Sequence, residues 1–127
     1  MMIESASRLG IAIRLLANDK DESAAQLNQD NIYGDYSDLA TVLAAVEDVS
    51  VVTFDHEHVP LKILEQIEKL QIKVRPSITA LACAQNKIHM RETLAAAKIA
   101  NPDWLATNSI SQAQDFFLKH QQQLILK

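Results

Sequence analysis

Apolar and polar residues follow one another along the chain in blocks whose spacing predicts helices and strands in turn. The first block runs from Met2 to Leu9 at helical spacing and is followed by Gly10, a residue type that commonly ends helices. Residues 11–17 are almost continuously apolar, which suits a strand buried on both faces of a parallel sheet. The chain is therefore predicted to begin in a helix and to enter a strand directly afterwards.

The same alternation continues through the middle of the chain. Apolar side chains at intervals of three and four residues predict two further helices, one after Asp38 and one opened by Pro60. The shorter predicted elements are a helix at residues 23–27 and strands at residues 32–33, 49–54 and 72–74. Strands that alternate with helices in this way indicate βαβ units and an open parallel sheet with flanking helices.

The alternation stops after Pro76. Residues 78–97 are predicted to form one or two helices with no strand between them, and Asn101-Pro102 closes this stretch. A domain boundary is therefore expected near here. We assign residues 1–84 to an α/β domain and residues 85–127 to a linker helix and the beginning of a second domain.

Both ends of the chain have the pattern of a fragment. The last segment predicts a strand at residues 104–106, a helix opened by a capping box at Ser111, and a final strand at residues 124–127 with nothing after it. An α/β domain of this kind normally begins with a central strand, whereas this chain begins in a helix. The sequence therefore predicts a sheet that lacks its first strand.

Composition and charge exclude several classes of protein. Hydrophobic residues make up 48% of the 127 residues and charged residues 22%, as in a soluble globular domain. No apolar run approaches the ~20 residues of a membrane helix, and a net charge of -4 without a basic cluster disfavours nucleic acid. The single cysteine cannot form an internal disulfide and no signal peptide is visible, so we expect a cytoplasmic protein.

The densest polar group is Asp55-His56-Glu57-His58, directly after the predicted strand 49–54. Ligands of open α/β sheets bind beyond the carboxyl ends of the strands, because the loops converge there. The position favours Glu57 as a hydrogen-bond acceptor for a ligand amine or hydroxyl. Two alternatives stay open: a solvated loop, and a metal site, which the i, i+2 spacing of the histidines and the lack of a third ligand disfavour.

Five segments carry motifs that we consider together. They are Gly34-Asp-Tyr-Ser-Asp38; Val51-Val-Thr-Phe-Asp-His-Glu-His-Val-Pro60; Arg75-Pro-Ser-Ile-Thr-Ala-Leu81 with Ala84-Gln-Asn-Lys-Ile-His-Met-Arg91; Asn101-Pro-Asp-Trp104; and Leu124-Ile-Leu-Lys127. In this order and spacing, over nearly the whole chain, they resemble the motifs of the 5-(carboxyamino)imidazole ribonucleotide synthases. These enzymes are ATP-grasp ligases of purine biosynthesis.

The resemblance implies a Rossmann-like preATP-grasp domain, without its first strand, followed by the start of an ATP-grasp domain. The family begins with a strand and a Gly-Gly-Gly-Gln-Leu-Gly loop, whereas this chain has only two glycines and no such loop. The family also continues beyond the segment matched by Lys127, and there it carries the ATP-binding lid and the magnesium-binding carboxylates. We therefore expect an amino-terminal fragment that is inactive alone.

The resemblance also implies a reaction, the ATP-dependent carboxylation of 5-aminoimidazole ribonucleotide by bicarbonate through carboxyphosphate. Lys87 and Lys127 match the family's ATP contacts, and Glu57 matches the loop that faces the ribonucleotide. The Mg²⁺ ligands and the catalytic residues are expected outside this chain, and the full-length enzyme is expected to form a homodimer. The alternative is a non-catalytic binding or interaction domain that is a degenerate remnant of the same fold. A dinucleotide-binding protein is disfavoured because the glycine loop is missing.

Overall fold

The computed structural model describes residues 2–120 and 124–125, and the chain divides into two compact units, Met1–Gln85 and Asn86–Lys127. The first unit contains α1 (Met2–Leu9), β1 (Leu15–Ala17), α2 (Ser23–Leu27), β2 (Asn31–Tyr33), α3 (Leu39–Ala45), β3 (Val51–Val52), α4 (Leu61–Lys69), β4 (Lys73–Val74) and α5 (Ile78–Gln85). The second unit contains α6 (Lys87–Ala96) and α7 (Ile110–His120). The predicted alternation of strands and helices, and with it the α/β class, is confirmed.

The strands form two parallel pairs rather than one continuous sheet. β1 pairs with β2, with Leu16 opposite Ile32, and β3 pairs with β4, with Val52 opposite Val74. No backbone hydrogen bond joins the two pairs within residues 2–120 and 124–125. Each described strand is bonded along one side only, and a strand extends only as far as a neighbour bonds to it. This explains why β1, β3 and β4 are shorter than the predicted strands.

The end of α1 accounts for the late start of β1. Gly10 has a φ of +68° and donates its N–H to the carbonyl of Ser7 at 3.2 Å. Ile11 donates its N–H to the carbonyl of Ala6 at 2.9 Å. This is the Schellman arrangement, in which a left-handed glycine closes the last turn of a helix. Ile11 therefore completes the helix end, and the strand begins only at Leu15.

One hydrophobic core lies in the first unit and holds α3, α4 and α5 together with β4. Its most completely buried side chains are Leu64, Ile67 and Val74. The other buried members of this cluster are Val42, Val46, Val59, Ile63 and Leu81. Ile67 lies one turn after the adjacent Ile63 and Leu64, so one face of α4 is apolar and faces the core. Val59, directly before this helix, fixes the end of the β3–α4 connection to the same core.

The second unit begins with a capped helix. The Asn86 side-chain oxygen accepts the N–H groups of Ile88 at 3.0 Å and His89 at 3.1 Å. Because an asparagine in this position satisfies amide groups that the first helical turn leaves unpaired, α6 starts as a new helix rather than as a continuation of α5. The predicted stretch 78–97 therefore forms two helices.

Three predictions for the second unit need correction. Residues 104–106 do not form the predicted strand, since they have no regular structure and no described strand pairs with them. The cap of α7 is Ser109 rather than Ser111, because the Ser109 carbonyl accepts the Ala113 N–H at 3.1 Å. Of the predicted strand 124–127, Leu124 and Ile125 have no regular structure, and the rest lies outside the described residues.

None of the helices in the described part of the chain combines the length and the apolar character that crossing a membrane requires.

Candidate functional site

The candidate site is built from two loops that follow β2 and β3 at their carboxyl ends. The first, the β2–α3 loop, is residues 34–38, and the second, the histidine loop, is residues 55–59. The ring centroids of Tyr36 and His56 lie 5.0 Å apart, so the two loops are in contact. This contact brings together two segments that the sequence singled out separately, at the edge where open α/β sheets bind ligands.

Close packing against α3 fixes the start of the β2–α3 loop. Gly34 has a φ of +154°, and a Cβ at this position would lie 2.7 Å from Cγ2 of Thr41. The carboxylate of Asp38 accepts the N–H of Thr41 at 2.9 Å and its hydroxyl at 2.6 Å. These hydrogen bonds cap α3 and lower the pKa of Asp38 below its ordinary value. The glycine is thus required by the neighbouring helix turn.

The tip of this loop is held by a second aspartate. Asp35 accepts the Ser37 N–H at 2.7 Å, and hydrogen bonds from the side chain and then the backbone of Ser37 lower the pKa of Asp35. An aspartate that stays ionised and bonded to its own turn is a structural acceptor rather than a general acid. The loop therefore serves as a support that places the Tyr36 ring beside the histidine loop.

The histidine loop exposes one carboxylate between two histidines that are in contact with each other. The His58 N–H donates to Nδ1 of His56 at 3.2 Å, and the two rings lie 5.6 Å apart. The side chain of Glu57 is exposed, and no hydrogen bond or ion pair to its carboxylate occurs within residues 2–120 and 124–125. Its oxygens are therefore available to accept hydrogen bonds, and the ligand contact predicted for Glu57 stays a prediction.

The described residues do not fit a metal ion. Residues 2–120 and 124–125 contain no group of three or more His, Cys, Asp and Glu side chains that could hold one. Nδ1 of His56 already accepts a hydrogen bond, and magnesium prefers carboxylate oxygens and water to imidazole. These residues therefore do not provide the oxygen ligands of a Mg²⁺ site.

Gln85 is a residue of the site that the sequence analysis did not identify. Its side-chain Nε2 donates to the carbonyl of Glu57 at 2.6 Å and to the carbonyl of Val59 at 2.8 Å. Gln85 lies in the motif segment 84–91, in which the sequence predicts a role for Lys87 alone. The contact spans more than two dozen sequence positions, so no local pattern could have indicated it.

The two lysines predicted to contact ATP have different outcomes. Lys87 is the first residue of α6, its side chain is exposed, and within the described residues it has no hydrogen-bond or ion-pair partner. A cation at a helix N-terminus is opposed by the helix dipole, so helix stability does not account for a lysine here. Lys127 lies outside the described residues.

Parallel strand pairs connected by helices, with a polar loop beyond the strand ends, define an α/β domain of the Rossmann-like class. A family model described as the ribonucleotide synthetase preATP-grasp domain matches residues 1–85. The chain belongs to this family, and the resemblance inferred from its motifs is confirmed.

Several relatives of the chain are longer proteins named N5-carboxyaminoimidazole ribonucleotide synthase. The N5-carboxyaminoimidazole ribonucleotide synthase of Corynebacterium ammoniagenes is 39% identical over 127 residues, which are 100% of this chain and 31% of that protein. The crystal structure of N5-carboxyaminoimidazole ribonucleotide synthetase from Thermotoga maritima aligns with this chain with a TM-score of 0.84 at 22% sequence identity. The alignment covers 91% of this chain and 32% of the Thermotoga maritima chain. At that identity the likeness shows the fold.

A further structure adds ligands. This is the crystal structure of the Aspergillus clavatus N5-carboxyaminoimidazole synthase in complex with ADP and 5-aminoimidazole ribonucleotide. It aligns with a TM-score of 0.77 at 27% sequence identity, and the alignment covers 93% of this chain and 32% of the Aspergillus clavatus chain. The chain therefore spans about a third of the length of the relatives that it matches.

Proposed function

We propose that this chain is the amino-terminal part of an ATP-dependent ligase of purine biosynthesis. The ligase carboxylates 5-aminoimidazole ribonucleotide with bicarbonate and forms 5-(carboxyamino)imidazole ribonucleotide. The observation that carries the proposal is the unpaired carboxylate of Glu57 beyond the parallel strands, in a chain that is 39% identical along its whole length to a synthase. The ribonucleotide and an adenine nucleotide are the ligands named for the Aspergillus clavatus structure.

Each proposed contact follows from the chemistry of the side chain. An ionised Glu57 is an acceptor only, and it suits the amine and hydroxyl groups of the ribonucleotide. Lys87 and Lys127 would supply positive charge to the phosphates of ATP, for which lysine acts as a compact point charge. In phosphoryl transfer the protein contributes chiefly positioning and charge neutralisation, so these contacts are the kind of contribution that the reaction requires.

The proposal includes the organisation of the longer enzyme. Residues 1–84 would form the preATP-grasp domain without its first strand, and residues 85–127 the linker helix and the start of the ATP-grasp domain. Mg²⁺ would be bound by residues outside the described part of this chain. A cytoplasmic location, a homodimer and the use of bicarbonate belong to the same proposal, and the chain alone would be inactive.

A chimaeric enzyme tests the proposal. In it, this chain replaces the matching residues of the Corynebacterium ammoniagenes synthase, which is aligned over 127 residues. We expect ADP formation that depends on both the ribonucleotide and bicarbonate. If the parent enzyme is active and the folded chimaera is not, the proposal is contradicted, and the alternative of a non-catalytic binding domain is favoured.

The role of Glu57 is tested within the same chimaera. Glu57→Gln should raise the KM for the ribonucleotide by roughly tenfold, the factor associated with loss of one charged hydrogen bond. The KM for ATP should stay within about twofold, a change too small for a lost hydrogen bond. Glu65→Gln is the matched control, because Glu65 is an exposed carboxylate on α4 of the same unit. If the two variants have the same kinetics, Glu57 does not contact the ribonucleotide and belongs to a solvated loop.

A further inference from the structure

The side chain of Gln85, on α5, is hydrogen-bonded to the histidine loop. The two hydrogen atoms on Nε2 of Gln85 are directed to two carbonyl groups, those of Glu57 at 2.6 Å and Val59 at 2.8 Å. A primary amide nitrogen has two donors, so both are used. The accepting residues flank His58, and the bonds therefore fix the backbone on both sides of the loop's exposed tip.

Gln85 is itself held in place by the core. Leu81 lies four residues earlier on α5 and is 4% exposed. Residues four apart on a helix share one face, so the buried contact of Leu81 directs Gln85 towards the same side of the molecule. Val59 is buried in the same cluster as Leu81. The clamp therefore connects two segments whose positions are already set by apolar packing.

The remaining contacts of the loop are weaker constraints on Glu57. His56 touches Tyr36, and the His58 N–H bonds to His56, but no described group holds the Glu57 side chain. The backbone at residue 57 therefore sets only where the side chain starts and which region its carboxylate can reach. Loss of the Gln85 bonds would release that backbone to water and widen the region that the carboxylate samples. An acceptor that must meet one ligand amine or hydroxyl would then bind it less tightly.

We propose that Gln85 is a positioning residue that holds the histidine loop so that Glu57 is oriented towards the ribonucleotide. The inference rests on the proposed function of Glu57. Gln85 acts through the loop backbone and does not itself contact the substrate. It adds to the site a residue from α5, whose role comes from a backbone clamp rather than from direct binding.

The clamp is tested first on the 127-residue chain by amide hydrogen exchange. Gln85→Glu keeps the shape of the side chain but removes both donors, and Gln85→Met removes all polar atoms. Each should speed exchange of the His58 amide by roughly fivefold, the factor that one neutral hydrogen bond represents. Gln66→Met is the matched control, because within the described part of the chain the Gln66 side chain makes one weak hydrogen bond, accepted from Lys69 Nζ at 3.4 Å. Unchanged exchange at His58 in both Gln85 variants would overturn the inference.

The effect on substrate is tested in the chimaera. Gln85→Met should raise the KM for the ribonucleotide by roughly fivefold, with the KM for ATP and the melting temperature unchanged. A general loss of stability would change the KM values for both substrates or for neither. A change in the ribonucleotide KM alone therefore indicates a positioning role rather than a folding defect.

The outcomes also separate this inference from the proposed function. If Glu57→Gln raises the ribonucleotide KM and Gln85→Met does not, the positioning role is wrong and the proposed function stands. If the chimaera has no ribonucleotide-dependent turnover, the proposed function fails and the positioning role fails with it. If Glu57→Gln has no effect, Glu57 is not the acceptor, and Gln85 has nothing to position.

Discussion

The two units of the chain differ in how much apolar surface they bury. Among residues 2–120 and 124–125, every buried hydrophobic side chain lies in the first unit, between Ala6 and Leu81. In the second unit the described residues of α6 and α7 bury no side chain, and Ile110 and Leu118 are 78% and 66% exposed. Burial of apolar surface is the main source of folding stability, so the first unit holds the stability of this chain.

The two proposed binding regions differ in how they are anchored. The histidine loop with Glu57 is anchored to the core of the first unit through Val59 and Gln85. Lys87 lies on α6, whose order comes from its Asn86 cap and from local bonds rather than from a core. Local bonds and caps are worth about 1 kcal/mol each, less than the burial of one large side chain. The histidine loop is therefore the more firmly anchored of the two proposed binding regions.

The largest expected effect comes from removing a core side chain. Leu64 is 1% exposed, so Leu64→Ala should lower the free energy of unfolding by about 3–4 kcal/mol, from lost transfer energy and the cavity left behind. Leu118→Ala, at an exposed position of α7, should change it by less than ~0.5 kcal/mol. Urea denaturation of the two variants measures both. A similar loss in each would show that the units share stability equally.

A smaller effect is expected at the two glycines of the first unit. Gly10→Ala should cost about 1 kcal/mol, because an alanine is strained at positive φ but nothing lies within 4 Å of its Cβ. Gly34→Ala should cost about 2–3 kcal/mol, since its Cβ also displaces Thr41. Urea denaturation of the two variants measures which one loses more stability. A Gly34 variant no less stable than the Gly10 variant would mean that Thr41 moves aside freely.

The helices of this chain could be predicted from the sequence because their signals are local. Gly10, Asp38 and Pro60 each stand at a helix end where their backbone or side-chain chemistry satisfies that turn. β1, β3 and β4 were predicted too long, because the extent of a strand depends on a neighbouring strand and not on apolar residues alone. Residues 104–106 show the same limit, since an apolar stretch without a described neighbour forms no strand.

In the candidate site, too, residues with a local sequence signal could be predicted, and residues whose role depends on tertiary neighbours could not. Glu57 could be proposed from the sequence because open sheets bind ligands at their strand ends, and within residues 2–120 and 124–125 its carboxylate has no partner. Gln85 could not, because an exposed glutamine near a helix end has no distinctive pattern. Its role depends on where α5 lies relative to the histidine loop, and that placement is set by Leu81 in the core.

The smallest expected effect is the acid sensitivity of the α3 cap. Hydrogen bonds from the side chain and backbone of Thr41 lower the pKa of Asp38 in the folded protein. The contribution is fully present above the unfolded value of about 3.9 and is lost as the pH falls through the lower folded pKa. Asp38→Asn should remove this pH dependence. Unfolding free energies across the acid range measure it, and identical slopes for the two proteins would contradict the assignment.

Under the proposed function, the first unit contacts the ribonucleotide and the second unit contacts ATP. Steady-state kinetics of the chimaera, with each substrate varied in turn, tests this division directly. Glu57→Gln should raise only the ribonucleotide KM, and Lys87→Met and Lys127→Met should raise only the ATP KM, each by roughly tenfold. If either group of variants raises both values equally, or if the pattern is reversed, the claim is wrong.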